Sequence, residues 1–240
     1  MNSEIILASA SPRRRELLHQ VGIEPRILPS RLEEVITCTE PEEVVKELSW
    51  QKAEEVAGRL FRQRAEKAVK EPSRQTVEKA AKEPPRQRAE RVDKEPPRQT
   101  EKETSAAGSL PAVVIGADTV VAVEGRILGK PDSKEEAVRM ITLLQGRTHQ
   151  VYTGVTMIFG EEGECLTFAE RTDVHVCPMS REQVLRYVET KEPMDKAGAY
   201  GIQGRFAVYI RGVEGDYNNV VGLPLGRVCR ELMKRGFEIF

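Results

Sequence analysis

With 240 residues, 39% of them hydrophobic, the chain has the length for one large domain or two small ones around a substantial core. Its net charge of −1 supplies no basic field for nucleic acid or an anionic membrane surface, so nucleic acid is disfavoured as a partner. No stretch approaches the ~20 apolar residues that span a bilayer, and the start "MNSEIILASAS" lacks the basic region of a signal peptide. Cys38, Cys165, Cys177 and Cys229 are scattered without a C-x-x-C pair, which predicts free thiols in a reducing cytoplasm rather than disulfides or a zinc site.

Ile5, Ile6 and Leu7 read as a short buried strand, and "ASASPRRRELL" turns it into a helix. Small residues allow a tight turn, Pro12 suits the first helical position, and Leu17 and Leu18 continue at helical spacing. Three successive arginines are common on a solvated helix face. Where a strand stops, beside serine hydroxyls and the free N–H groups of a helix start, they make an anion site. Residues 25–29, "PRILP", predict a second short strand, with Glu34 just beyond it. From Pro41, "PEEVVKELSWQKAEEVAGRL" is an amphipathic helix with Val44, Val45, Leu48, Ala53, Val56 and Ala57 on its apolar face. Taken separately, Lys52 on that helix and Glu34 before it read as surface residues.

Composition then breaks. "KEPSRQ" at Lys70, "KEPPRQ" at Lys82 and "KEPPRQ" at Lys94 repeat with a period of 12 residues. Each unit offers only one or two small apolar residues, too few to offset the entropy of ordering, and the prolines interrupt any helix. Residues 62–104 hold 13 basic and 9 acidic residues, a surplus of +4 that leaves −5 on the rest of the chain. Interleaved glutamates cancel most of this charge and no aromatic residue is present. That disfavours a nucleic-acid arm and favours a solvated surface insertion, disordered or loosely helical, extending the helix before it. The chain is thus read as one domain, 1–240, interrupted by an insertion at 61–109, which costs the fold little.

After the insertion, "AVVIGADTVVAV" is the most strand-like segment and turns back through "EGR" into "ILGKP", a hairpin. "SKEEAVRMITLLQG" is a helix with Ser133 as N-cap and Gly146 at its end. "HQVYTGVTMIF" and "CLTFAERTDVHV" alternate as strands, and "SREQVLRYVET" is a short capped helix. "FAVYIRGVEGDYNNVVGLPL" predicts a strand, a loop and a return, and the last helix runs from about Leu223 to Arg235. Strands and helices mix without strict alternation, so the expected architecture is an α/β domain around a mixed sheet flanked by helices, in one lobe or two.

Four polar spots fall at strand ends, where an α/β sheet places its cleft. They are the serine-arginine turn, Glu34, Asp118-Thr119 and the glycine-punctuated "KAGAYGIQG" at 196–204. Asp118 lies inside an apolar strand, where an unpaired carboxylate would cost several kcal/mol. A divalent metal, Arg14, Lys52 or Lys130 could supply the missing positive charge. His149 reads as a strand hydrogen-bonder rather than a ligand, and no Ser-His-Asp triad is apparent.

The ordered set "LASASPRRRELL", "LEE", "QKA", "GADTVV", "LGKP", "GRTHQVYTGV", "DKAGAYGIQG" and "NNVVGLPL" resembles the Maf family, the septum-formation inhibitor-like proteins, over residues 4–60 and 110–238. The resemblance implies an elongated α/β fold, its mixed sheet flanked by helices, related to that of inosine triphosphate pyrophosphatases, with a Mg²⁺ or Mn²⁺ cofactor and hydrolysis of a nucleoside triphosphate to monophosphate and pyrophosphate. It is compatible with a homodimer. Ser9, Arg13 and Arg14 would then bind the triphosphate, and Lys52 and Lys130 would compensate the leaving pyrophosphate. Glu34 and Asp118 would share the metal, with Asp118 also the proton acceptor; one ion or two is left open. Two base pockets exist in the family. Arg13, Thr119 and Gln203 match the kind that prefers dTTP and UTP, not the kind that takes 7-methyl-GTP. The alternatives are a modified-purine pyrophosphatase and a non-catalytic nucleotide-binding regulator of cell division.

Overall fold

A computed structural model describes residues 4–70, 112–160 and 163–239. Its centre is one seven-stranded sheet: β1 (Glu4–Leu7), β2 (Arg26–Ile27), β3 (Ala112–Val123), β4 (Arg126–Leu128), β5 (Thr148–Phe159), β6 (Glu164–Val176) and β7 (Ile210–Glu214). The order is β2-β1-β3-β5-β6-β7, with β4 paired to β3. β1 runs parallel to β2 and β3, and every other pairing is antiparallel, so the sheet is mixed as expected.

Helices cover both faces. α2 (Pro41–Lys70) lies alone on one, where Ala53, Val56, Ala57 and Leu60 pack on Ile6, Val114 and Ile158, and Val44, Val45 and Leu48 pack on Val120. The other face carries α1 (Pro12–Gln20), α3 (Lys134–Leu144), α4 (Arg181–Glu189), α5 (Tyr217–Val221) and α6 (Leu225–Met233). There Leu18, Ile141, Val184 and Leu232 join Ile115, Val155 and Phe206 in the main core. β3 is buried on both sides, which is why it reads as a near-continuous apolar run.

The local signals act as expected. Glu124 and Gly125 both take positive φ (51° and 74°) in the β3–β4 turn, a backbone that matches strand twist. Ser133 accepts the Glu136 amide, and Ser180 with Gln183 forms a full capping box. Helix α2 continues to Lys70, ten residues past Leu60, whereas the repeats from residue 71 lie outside the described residues.

One expectation is corrected. Residues 205–209 form a 3₁₀ turn before β7, and the supposed return strand is the short helix α5. Asp216 caps that helix at the Asn218 amide, and buried Asn219 donates to the Val151 carbonyl and the Thr172 hydroxyl. Those polar anchors, not apolar alternation, decide the conformation. α6 begins at Leu225 rather than Leu223, because Pro224 stands at its N-cap.

Candidate active site

The sheet is split along one edge. β1 covers Ala112–Ile115 of β3, β4 covers Val121–Val123, and residues 116–120 have no strand beside them on that edge. A cleft of about 880 Å³ opens at this gap. Ser9, Arg13, Arg14, Glu34, Lys52, Asp118, Thr119 and Lys130 all line it, so five separate segments of the chain meet there. Gln203 is exposed and outside the lining, although Tyr200 and Ile202 from the same loop form part of the wall.

Strand alternation sends Asp118 and Thr119 to opposite faces. Asp118 turns toward α2. The cation expected beside it is Lys52, whose Nζ bonds Asp118 Oδ1 and also lies 2.9 Å from Glu34 Oε1. Lys52 therefore draws together two carboxylates 84 residues apart in sequence. Lys130 contributes to the same cleft from the returning hairpin arm, with its side chain exposed.

α2 can reach Asp118 because two glycines let it lie directly on the sheet. A Cβ at Gly116 would stand 2.3 Å from the Ser49 carbonyl oxygen, and one at Gly154 would stand 2.0 Å from that of Val45. Buried Ser49 ties the same contact to β5 through its hydroxyl, 3.0 Å from that of Thr156.

Thr119 turns to the other face and meets Arg14. The Arg14 guanidinium is buried and donates four times: Nε to Gly222 O (2.8 Å), Nη1 to Ser9 Oγ (3.0 Å) and Ala117 O (2.9 Å), Nη2 to Thr119 Oγ1 (3.0 Å). Burial pulls its pKa below the ordinary arginine value and Asp118 works against that, but a guanidinium keeps its charge. Gly222, at φ 128°, makes the turn that aims its carbonyl at Nε. Arg14 is thus a fixed cation that also ties α1 to β3 and to the α5–α6 turn. A lysine has no fork to serve four acceptors. Arg14→Lys is expected to lower unfolding free energy by about 1–3 kcal/mol in urea titrations, whereas Arg13→Lys leaves the midpoint in place.

Thr153 donates to Asn219 O (3.0 Å), so in the 2.9 Å contact between hydroxyls it is Thr119 that donates to Thr153. The Thr119 oxygen, already accepting from Arg14, meets any ligand only as an acceptor.

His149 is a buried strand residue whose Nε2 lies 2.7 Å from Tyr200 Oη, and burial lowers its pKa to about 4. The pair anchors the wall at Tyr200. Asp195 and Lys196 also line the cleft, Lys196 Nζ lying 2.5 Å from Asp195 Oδ1 and donating to Glu192 O at 2.8 Å. Lys196 opens the glycine-punctuated segment read as a polar spot in the sequence, and Asp195 immediately precedes it; neither has a role of its own in that reading.

The lining holds five cations (Arg13, Arg14, Lys52, Lys130, Lys196) and three acids (Glu34, Asp118, Asp195), so the cleft is locally positive on a chain of net charge −1. That balance suits a polyanion. Among the described residues no group of three or more His, Cys, Asp or Glu could hold a metal by itself, and none of the helices is long and apolar enough to cross a membrane. All four cysteines are free thiols.

Comparison with known proteins agrees with this geometry. The Maf-like protein family model matches residues 4–235. The chain is 46% identical to a dTTP/UTP pyrophosphatase of Agathobacter rectalis, over 99% of this chain and 100% of the relative. It is 41% identical to a protein of the same name from Symbiobacterium thermophilum (99% and 96% covered) and 38% identical to one from Lachnoclostridium phytofermentans (98% and 97%). With a family model matched across nearly its whole length and relatives this similar over nearly the full chain, the chain belongs to the Maf-like protein family.

Proposed function

We propose that the chain is a nucleoside triphosphate pyrophosphatase acting on dTTP and UTP. The observation that carries this reading is the convergence of Lys52 with Glu34 and Asp118 in a cationic cleft, in a chain 46% identical to a protein of that activity. In the reaction, water attacks the α-phosphorus, the bond to the α–β bridging oxygen breaks, and pyrophosphate leaves. Asp118 takes the proton of the attacking water. Arg13, Lys130 and the first turn of α1 bind phosphate oxygens, since Ser11 does not cap that turn with its side chain. Arg14, held on four acceptors, acts as a preorganised positive charge that need not move during reaction.

A Mg²⁺ or Mn²⁺ fits the donor set. Two carboxylates already converge on one ammonium, and hard ions of this kind are commonly held by one or two carboxylates plus substrate phosphate oxygens. Glu34 and Asp118 would hold it, and when bound it would neutralise phosphate charge and acidify water. Lys52 keeps the two carboxylates together and offsets one of their two negative charges, which leaves a net negative site for the metal.

Thr119 supports the pyrimidine preference. Its oxygen offers only an acceptor, and uracil and thymine carry an N–H between two carbonyls. Arg13 and Gln203 enter the specificity reading through the family resemblance. A cytoplasmic location, a homodimer and the single-domain reading of 1–240 belong to the same proposal. The test is pyrophosphate release across a panel of nucleoside triphosphates. The expected result is kcat/KM for dTTP and UTP at least about tenfold above that for 7-methyl-GTP and ATP. A purine ranked first would refute the pocket assignment.

A further inference from the structure

Glu34 is carried by residues 28–40, a segment with no helix or strand of its own. Leu28 and Cys38 near its two ends pack on the core, but apolar packing does not hold the stretch between them: Leu32, Val35 and Ile36 are 50%, 58% and 57% exposed. What holds that stretch is a stripe of polar side chains on α2. Glu47 accepts from the Thr37 amide (2.9 Å) and hydroxyl (2.6 Å), and Glu55 accepts from the Arg31 amide (3.3 Å). Between them Gln51 takes both backbone groups of Val35, accepting its N–H at 3.1 Å and donating to its carbonyl at 2.6 Å. Residues 47, 51 and 55 are one face of a helix, so the segment is laid along α2 in a fixed register.

Neighbours on the helix grip neighbours on the segment: Gln51 holds the Val35 backbone while Lys52 holds the Glu34 carboxylate. We propose that Gln51 is a positioning residue for Glu34, fixing the backbone from which that carboxylate reaches Lys52 and Asp118. The inference rests on the pyrophosphatase reading for its activity measurement only. Glutamine is suited to the task because one amide supplies the donor and the acceptor; glutamate keeps the acceptor alone and leucine keeps neither.

The test is Gln51→Leu in the full-length chain, alone and with Glu34→Gln. Two bonds to an exposed backbone are lost, so the melting temperature should move little. The Val35 amide should exchange with solvent about tenfold faster, and kcat on dTTP should fall about tenfold. Gln51→Glu should recover part of both losses. In the Glu34→Gln background the same leucine should cost less than about twofold, because the group being positioned is gone. An equal loss in both backgrounds, or unchanged kcat despite faster exchange, would overturn the proposal. A wild type inert toward dTTP and UTP removes the activity reading, whereas a Val35 amide that exchanges no faster removes the clamp, so the two failures are told apart.

Discussion

Asp118→Asn is expected to lower pyrophosphate release from dTTP and UTP by about 10²–10⁴-fold while the protein stays folded. The size follows from what the carboxylate is placed to do. It sits on the stretch of β3 that has no strand on one edge, bonded to Lys52 and facing the cleft, and in the proposed mechanism it accepts the water proton. Asparagine has nearly the same volume but neither the basicity nor the charge. The fold should survive because the ammonium left behind is not stranded: Lys52 keeps Glu34 at 2.9 Å. Arg14, which also feels the Asp118 charge, keeps its four hydrogen-bond acceptors. Single-turnover hydrolysis and thermal melting on the same preparation check the two halves. Loss of both together would make Asp118 a structural residue, retained turnover would remove it from the chemistry, and an inert wild type would return the chain to the non-catalytic nucleotide-binding regulator.

How much of this was legible in the sequence depends on the range of the interaction. β3, the Glu124-Gly125 turn and the caps at Ser133 and Ser180 are local devices, each stated within a few residues. The short helix at 217–221 is not legible in the sequence because "NNVV" alternates no better as strand than as helix, and its fate rests on partners at Val151 and Thr172. Lys52 looked like a surface lysine for a similar reason. Nothing within ten residues of it announces Asp118; its position is set by Gly116 and Gly154 on two other elements. The motif set recovered Glu34, Lys52 and Asp118 together only through the family resemblance, and the role of Gln51 lay beyond both. A side chain that grips another segment's backbone leaves no periodic trace. Gln203, taken from the same resemblance, stands outside the cleft lining, with Tyr200 and Ile202 as its nearest representatives there.

The dependence on glycine yields the other large effect. Gly154→Ala places a methyl group 2.0 Å from the Val45 oxygen and 2.3 Å from its carbonyl carbon. Both sides of that contact are backbone, so no rotamer change relieves it. Either α2 rises from the sheet or β5 bends away, and each route strains the Ser49–Thr156 contact at 3.0 Å. A destabilisation at the upper end of overpacking, about 3 kcal/mol, is expected, which for a domain of this size lowers the melting temperature by about 6–12 °C. Gly129→Ala is the control for melting, since a Cβ there meets nothing within 4 Å. The displacement also bears on the chemistry. Lys52 lies about two turns further along the same rigid helix, so a shift at Val45 is carried to the ammonium that joins Glu34 and Asp118. Turnover of the folded fraction should therefore fall at a temperature well below the melting point, by about 10²-fold for a displacement near 1 Å. A variant that melts early but hydrolyses dTTP at the wild-type rate when cold would show that the cleft does not need α2 at this height.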